Sequence, residues 1–320
     1  MGYFEENGYN LTTGTQNIFD PLPSPMAYSR FRRRRSFRRR PARTLRRSQN
    51  KRTVRRRRFV RRPRRRMTSR RVRNIASRKK HDTQLGADSN ADDSSNPVQL
   101  HAGNNYYLWA PSYLEQHEES YDYVRNNQNV YFRGVQDRVF LSAAFAFTWR
   151  RVCFFSYEQF VPALPFFVEA PNEDDPQIMR RPLREITPKT ASEFFSYAWK
   201  GTVGVDFSEN TRWNAPLDDK LLTIVYDRSV TINPNYAAPA GATFGKSMTR
   251  KMWHPVNKTM MYSDKENGST PSSTGWTSMC PNSPGNFYIL DIFSTGQDLP
   301  GDLTGVGEFG SEATVYWHEN

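Results

Sequence analysis

Arginine is the residue type that carries chemistry in this chain, and it is concentrated in one stretch. Between Arg30 and Lys80 stand 28 of the 46 Lys and Arg residues, 25 of them Arg, and none of the 32 Asp and Glu residues. Arg32, Arg33, Arg34 and Arg35 are followed by Arg38, Arg39 and Arg40, then by Arg43, Arg46 and Arg47. A second group holds Lys51, Arg52, Arg55, Arg56, Arg57, Arg58, Arg61 and Arg62. A third holds Arg64, Arg65, Arg66, Arg70, Arg71 and Arg73, and the block closes on Arg78, Lys79 and Lys80. Each guanidinium presents a planar fork of donors that matches phosphate oxygens, and each cation laid on a polyanion releases condensed counterions. These residues are therefore the candidate nucleic-acid-binding set, reading backbone rather than bases. Nuclear import needs only about five to eight such residues, so import receptors are expected as a second user of the same charges.

Other reactive constellations are weak. Gly241 and Gly245 before Lys246-Ser247 imitate a phosphate loop, but three residues separate the glycines where four are needed, and strand-like sequence follows instead of a helix. His81, His101, His117, His254 and His318 are scattered, and Cys153 and Cys280 have no partner at metal spacing. Glu173, Asp174 and Asp175 read as a solvated loop. The chain is expected to be no enzyme and to need no cofactor or metal. Nothing resembles a signal peptide, the longest apolar run is too short for a bilayer, and the Asn-X-Ser/Thr matches at Asn10, Asn257 and Asn267 are read as chance.

The block cannot fold on itself, because its like charges repel, apolar residues are few, and Pro41 and Pro63 interrupt helices. An extended arm over residues 30–80 is expected, after a disordered extension over 1–29 whose Met26 offers an alternative start. The whole chain carries +14, so everything outside the +28 block sums to −14. A polycationic arm is tethered to an acidic body.

That body, residues 81–320, is long enough for one large all-β domain. Aromatic residues and turn formers punctuate it. Strands are expected at 105–110, 130–133, within 138–157, and at 201–207, 220–232, 249–262, 286–293 and 312–318, with a break at Gly134. Asn267-Gly268 signals a tight turn. One short helix is expected at 190–200, capped by Thr190 with Glu193, with Phe194, Phe195, Ala198 and Trp199 on one side. About eight strands with one helix in a loop describe an eight-stranded jelly-roll sandwich. Trp253 and Trp317 read as core residues, with base stacking on an inner surface as the alternative.

Several blocks, in order, are familiar together. They are Ser77-Arg78-Lys79-Lys80, Tyr131-Phe132-Arg133-Gly134, Arg150-Arg151-Val152-Cys153-Phe154 and Ala215-Pro216-Leu217-Asp218. Met252-Trp253-His254-Pro255-Val256-Asn257-Lys258 follows, then Phe287 to Phe293 and Tyr316-Trp317-His318-Glu319. From Arg30 to Asn320 the chain resembles the capsid proteins of genomoviruses, gemycircularvirus-like agents with circular single-stranded DNA. His81 departs from the usual polar or basic residue there. The resemblance implies a jelly-roll subunit that self-assembles, about sixty copies to a T=1 icosahedral shell, around a single-stranded DNA genome. Its places are the virion and the host nucleus, and it has no membrane partner. On residues alone, a cellular basic DNA- or RNA-binding protein with a β-sandwich body remains the alternative.

Overall fold

The first elements form inside the basic block rather than after it. The computed structural model describes residues 67–91, 94–118, 121–168, 177–234, 245–263, 265–267, 270–272, 274–295 and 304–319. The arm up to Arg66 and the Glu173–Asp175 cluster lie outside the described residues. Helix α1 (Ser69–Ala76) and strand β1 (Arg78–Ala87) occupy the end of the stretch expected to be an extended arm. Strand formation survives the charge because it alternates: Lys79, His81, Thr83 and Leu85 are exposed, whereas Lys80 and Gln84 are buried.

Eleven strands follow before the last. They are β2 (Val98–His101), β3 (Asn104–Trp109), β4 (Asn129–Ala143), β5 (Phe147–Ser156), β6 (Phe166–Val168) and β7 (Ile178–Pro182), then, after helix α2 (Ser192–Tyr197), β8 (Thr223–Ile232), β9 (Lys246–Met261), β10 (Lys265–Asn267), β11 (Thr270–Ser272) and β12 (Asn286–Thr295). The last strand is β13 (Thr304–Glu319). One sheet has the central order β1-β13-β4-β9 and the other the order β3-β12-β5-β8. All six of those pairings are antiparallel. Ranked along the chain, the eight strands read 1-8-3-6 and 2-7-4-5, the doubled Greek key of a jelly roll. β7 and β6 extend the first sheet beyond β1, and β2 pairs with the far end of β13. β10 and β11 form the hairpin that Asn267-Gly268 signals.

The two sheets bury their facing sides against each other. Phe132 and Val135 of β4, Val256 and Met260 of β9, and Val315 and Trp317 of β13 meet Cys153 and Phe155 of β5 and Phe287 and Ile289 of β12. The second face of β3-β12-β5-β8 is covered too. There Tyr106, Leu108, Phe154, Tyr288 and Leu290 pack under Phe194, Phe195, Ala198 and Trp199, the helix face expected from sequence. Every residue of β12 is consequently buried. Among the described residues nothing comparable covers the outer side of the first sheet, where Trp253 is 44% exposed.

Local differences from expectation have identifiable causes. The capping pattern at Thr190 forms a turn of its own, Thr187 and Thr190 each accepting the other's backbone N–H on its hydroxyl, and α2 starts after it with no side-chain cap. The predicted strand at 201–207 is a turn closed by one bridge between Val203 and Phe207. Gly134 does not end a strand: β4 runs through it with a shift of register. Trp317 is core, but Trp253 is not, because β9 turns it to the open side.

Candidate nucleic-acid interface

At its folded end, the basic block divides its side chains between solvent and body. Arg70, Arg71 and Arg73 lie on α1, and Arg71 is exposed. Arg78 donates to the Asp122 carboxylate at 2.8 Å. Lys79 is exposed on the outer side of β1. Lys80 points the other way and is 2% exposed. Its Nζ donates to the Val124 carbonyl at 2.8 Å and to Asn126 Oδ1, and lies 3.4 Å from Glu319 Oε2. Burial lowers the Lys80 pKa, and Glu319 opposes that shift. Lys80, expected among the phosphate-binding residues, is thus engaged inside the body, tying the first strand to the last. The candidate residues from Arg32 to Arg66 lie outside the described residues.

Beside Lys79 the outer side of the first sheet carries a basic and aromatic patch. Register sets it: Lys79 pairs with His318 and His81 with Tyr316, while Gly134 pairs with both Tyr316 and Pro255, and Gln136 with Trp253. The His81 and Tyr316 rings stack at 6.0 Å and 20°, and Tyr316 meets Trp253 edge-on at 5.8 Å. The register shift at Arg133-Gly134 delivers Arg133 to the rim, where it donates to Asn257 Oδ1. Gly134 has φ 147°, and a Cβ there would strike the His254 carbonyl and the Trp253 ring. Glycine is what allows the indole to lie across the strand. The result is a hollow of about 380 Å³ lined by Lys79, Arg133, Gln136, Trp253, Tyr316 and His318 side by side with strand backbone, and among the described residues no carboxylate lines it. The His318 pKa is lowered by burial and by the charges of Lys79 and Arg133.

A second charged assembly is closed to solvent. Between the sheets Arg151 and Arg181 each contact both Asp137 and Asp291; the Arg151–Asp137 and Arg181–Asp291 separations are 2.7 and 2.8 Å. Ser311 donates to Asp137 at 2.6 Å and Trp149 Nε1 to Asp291 at 2.7 Å. Two cations and two anions cancel there. The two arginines hold the Asp137 carboxyl far below the usual carboxylate range despite its burial. Every one of the four is 1% exposed or less, so this quartet fixes the sheets and offers no ligand an approach.

No protein-family model matches the sequence, and no curated protein matches it. Among solved structures, Trichodysplasia spinulosa-associated polyomavirus VP1, in complex with GM1 oligosaccharide, aligns over 75% of this chain and 77% of its own. The identity is 8% and the TM-score 0.10. An alignment at that score carries no argument, and the jelly-roll assignment rests on the strand order itself.

Proposed function

We propose that this chain is the structural capsid protein of a small single-stranded DNA virus, genomovirus-like in its sequence blocks, and that it assembles as a T=1 shell. The supporting observation is the jelly-roll strand order in an acidic body that directly follows a block of 28 basic residues. A fold alone hosts many functions; the pairing of this one with that arm is what favours a container for polyanion. In this reading the arms lie inside the shell, condense DNA by charge, and serve import receptors on the way to the host nucleus. The acidic bodies form the wall, meeting around symmetry axes. DNA drives closure because it relieves repulsion among the arms. The function is architectural, without catalysis, cofactor or membrane.

Negative-stain microscopy and light scattering of the purified chain, with and without single-stranded DNA, test it. Uniform closed shells of about sixty subunits are expected, and their yield should rise with DNA. A discrete monomer or dimer that coats DNA without closing would replace this reading with a cellular nucleic-acid-binding protein.

A further inference from the structure

We infer that the hollow over Gly134 is a nucleotide site, in which an unpaired base of single-stranded DNA stacks on the Trp253 indole while Lys79 and Arg133 hold the flanking phosphates. This rests on the reading of the arm as the DNA-binding element and adds what the arm lacks, a preference for unpaired strands. A solitary exposed aromatic needs no explanation, but this one stands in a group. Trp253, Tyr316 and His81 form a continuous aromatic strip, with a second pair, Tyr131 and His318, 5.8 Å apart along the same side of the sheet. Cations flank the strip, and among the described residues no carboxylate lines the hollow. Stacking platforms set in a positive groove are how single strands are held without sequence readout.

The geometry suits one nucleotide. The hollow measures about 380 Å³, and Gln136 on its floor offers both a donor and an acceptor to a base edge. Position adds to this. Lys79 stands at the end of the basic block, on the strand in which the block closes, so DNA gathered by the arm is delivered beside the aromatic strip. In a duplex the base faces are already stacked on each other and cannot reach Trp253. The arm takes any phosphate backbone, whereas the hollow takes only an exposed base.

The test uses the full-length chain and an oligodeoxythymidylate carrying 5-iododeoxyuridine, crosslinked by ultraviolet light and mapped by mass spectrometry. Adducts on Trp253 or Tyr316 are expected. Trp253→Ala should weaken binding of the single strand on the order of five- to a hundredfold, measured at a salt concentration that screens the arm. Trp253→Phe should keep most of it, and affinity for a duplex of equal length should not change. Adducts confined to the arm, together with parental single-strand affinity in Trp253→Ala, would overturn the inference. So would a Trp253→Ala chain that fails to form shells yet binds oligonucleotide normally, since the face would then be covered by a second copy. Failure of the parent chain to bind either form of DNA would overturn the arm reading along with it.

Discussion

Burial sets the behaviour of two titratable residues in opposite directions, and their balance is measurable. His254 is 4% exposed; it faces Arg151 Nη1 at 3.4 Å and Cys153 Sγ at 3.4 Å, with the Tyr226 ring edge-on. Burial first, and then the Arg151 charge, lowers its pKa to about 4, against an ordinary value near 6.5. Between those values the unfolded chain holds a proton the folded one does not, so stability falls as pH drops through the window, by on the order of 3 kcal/mol. Asp82 acts the other way. Burial raises its pKa to about 6, so between about pH 6 and its unfolded value near 3.9 the folded state holds the extra proton. That stabilises the fold on acidification and offsets much of the His254 loss. Asp82→Asn, which keeps an acceptor for the Gln84 amide that donates to Asp82 at 2.9 Å, removes the offset. Urea unfolding of the variant should show stability declining from pH 6.5 to 4 more steeply than in the parent. Parallel curves would refute the assignment of the two residues. Asp137 does not blur the result, because its depressed pKa confines its own loss to pH below about 4.

At the scale of the element, the bulge in β4 decides which side chains reach the open sheet face. Val130 and Phe132 are buried before it, and Val135, Asp137, Val139 and Leu141 after it, so the inward series changes phase at Arg133-Gly134. Gly134→Ala should cost about 1–3 kcal/mol through backbone strain alone, with added clash against His254 and Trp253. A lowered urea midpoint with an unchanged slope is the expected readout. A midpoint equal to the parent's would mean that the bulge does not need glycine. The same bulge explains part of what the sequence conceals: a glycine inside a strand pattern reads as a break, yet here it lets β4 continue. β1 is hidden for another reason. It opens on three consecutive cations, Arg78, Lys79 and Lys80, and only pairing with β13, more than two hundred positions away, makes that end of the basic block a strand. Trp253 and Trp317 are equally aromatic and equally strand-like, and only register separates them. In β9 the exposed Arg250 and Lys258 fall at the same parity as the inward-facing Met252, His254, Val256 and Met260. Those charges blur the alternation that would have marked Trp253 as outward. The largely apolar run of β12 and the Phe194–Trp199 helix face needed no such help.

For the whole molecule, the proposed capsid function makes charge per arm against phosphate per genome the governing quantity. In the proposed sixty-subunit shell, 27 block cations per chain, Lys80 being held inside the body, would bring roughly 1,600 positive charges to a similar number of phosphates. The acidic bodies cannot share that task, since outside the block the chain is negative. If the arms set capacity, packaged DNA should shrink with arm charge while the wall is unaffected. Deleting residues 30–47 removes eleven arginines and leaves 17 basic residues in the block. It touches none of the described strands, so the body should unfold as the parent does. Shells reassembled from this variant on long single-stranded DNA should protect about 40% less of it from nuclease, at unchanged particle diameter. The slope of log affinity against log salt should fall as well, because fewer counterions are released. Protected lengths equal to the parent's would show that wall surface, including the aromatic strip over Gly134, sets capacity rather than the arm. On the proposed reading the two contributions should separate by salt: arm binding should weaken steeply with ionic strength, whereas stacking on Trp253 should persist.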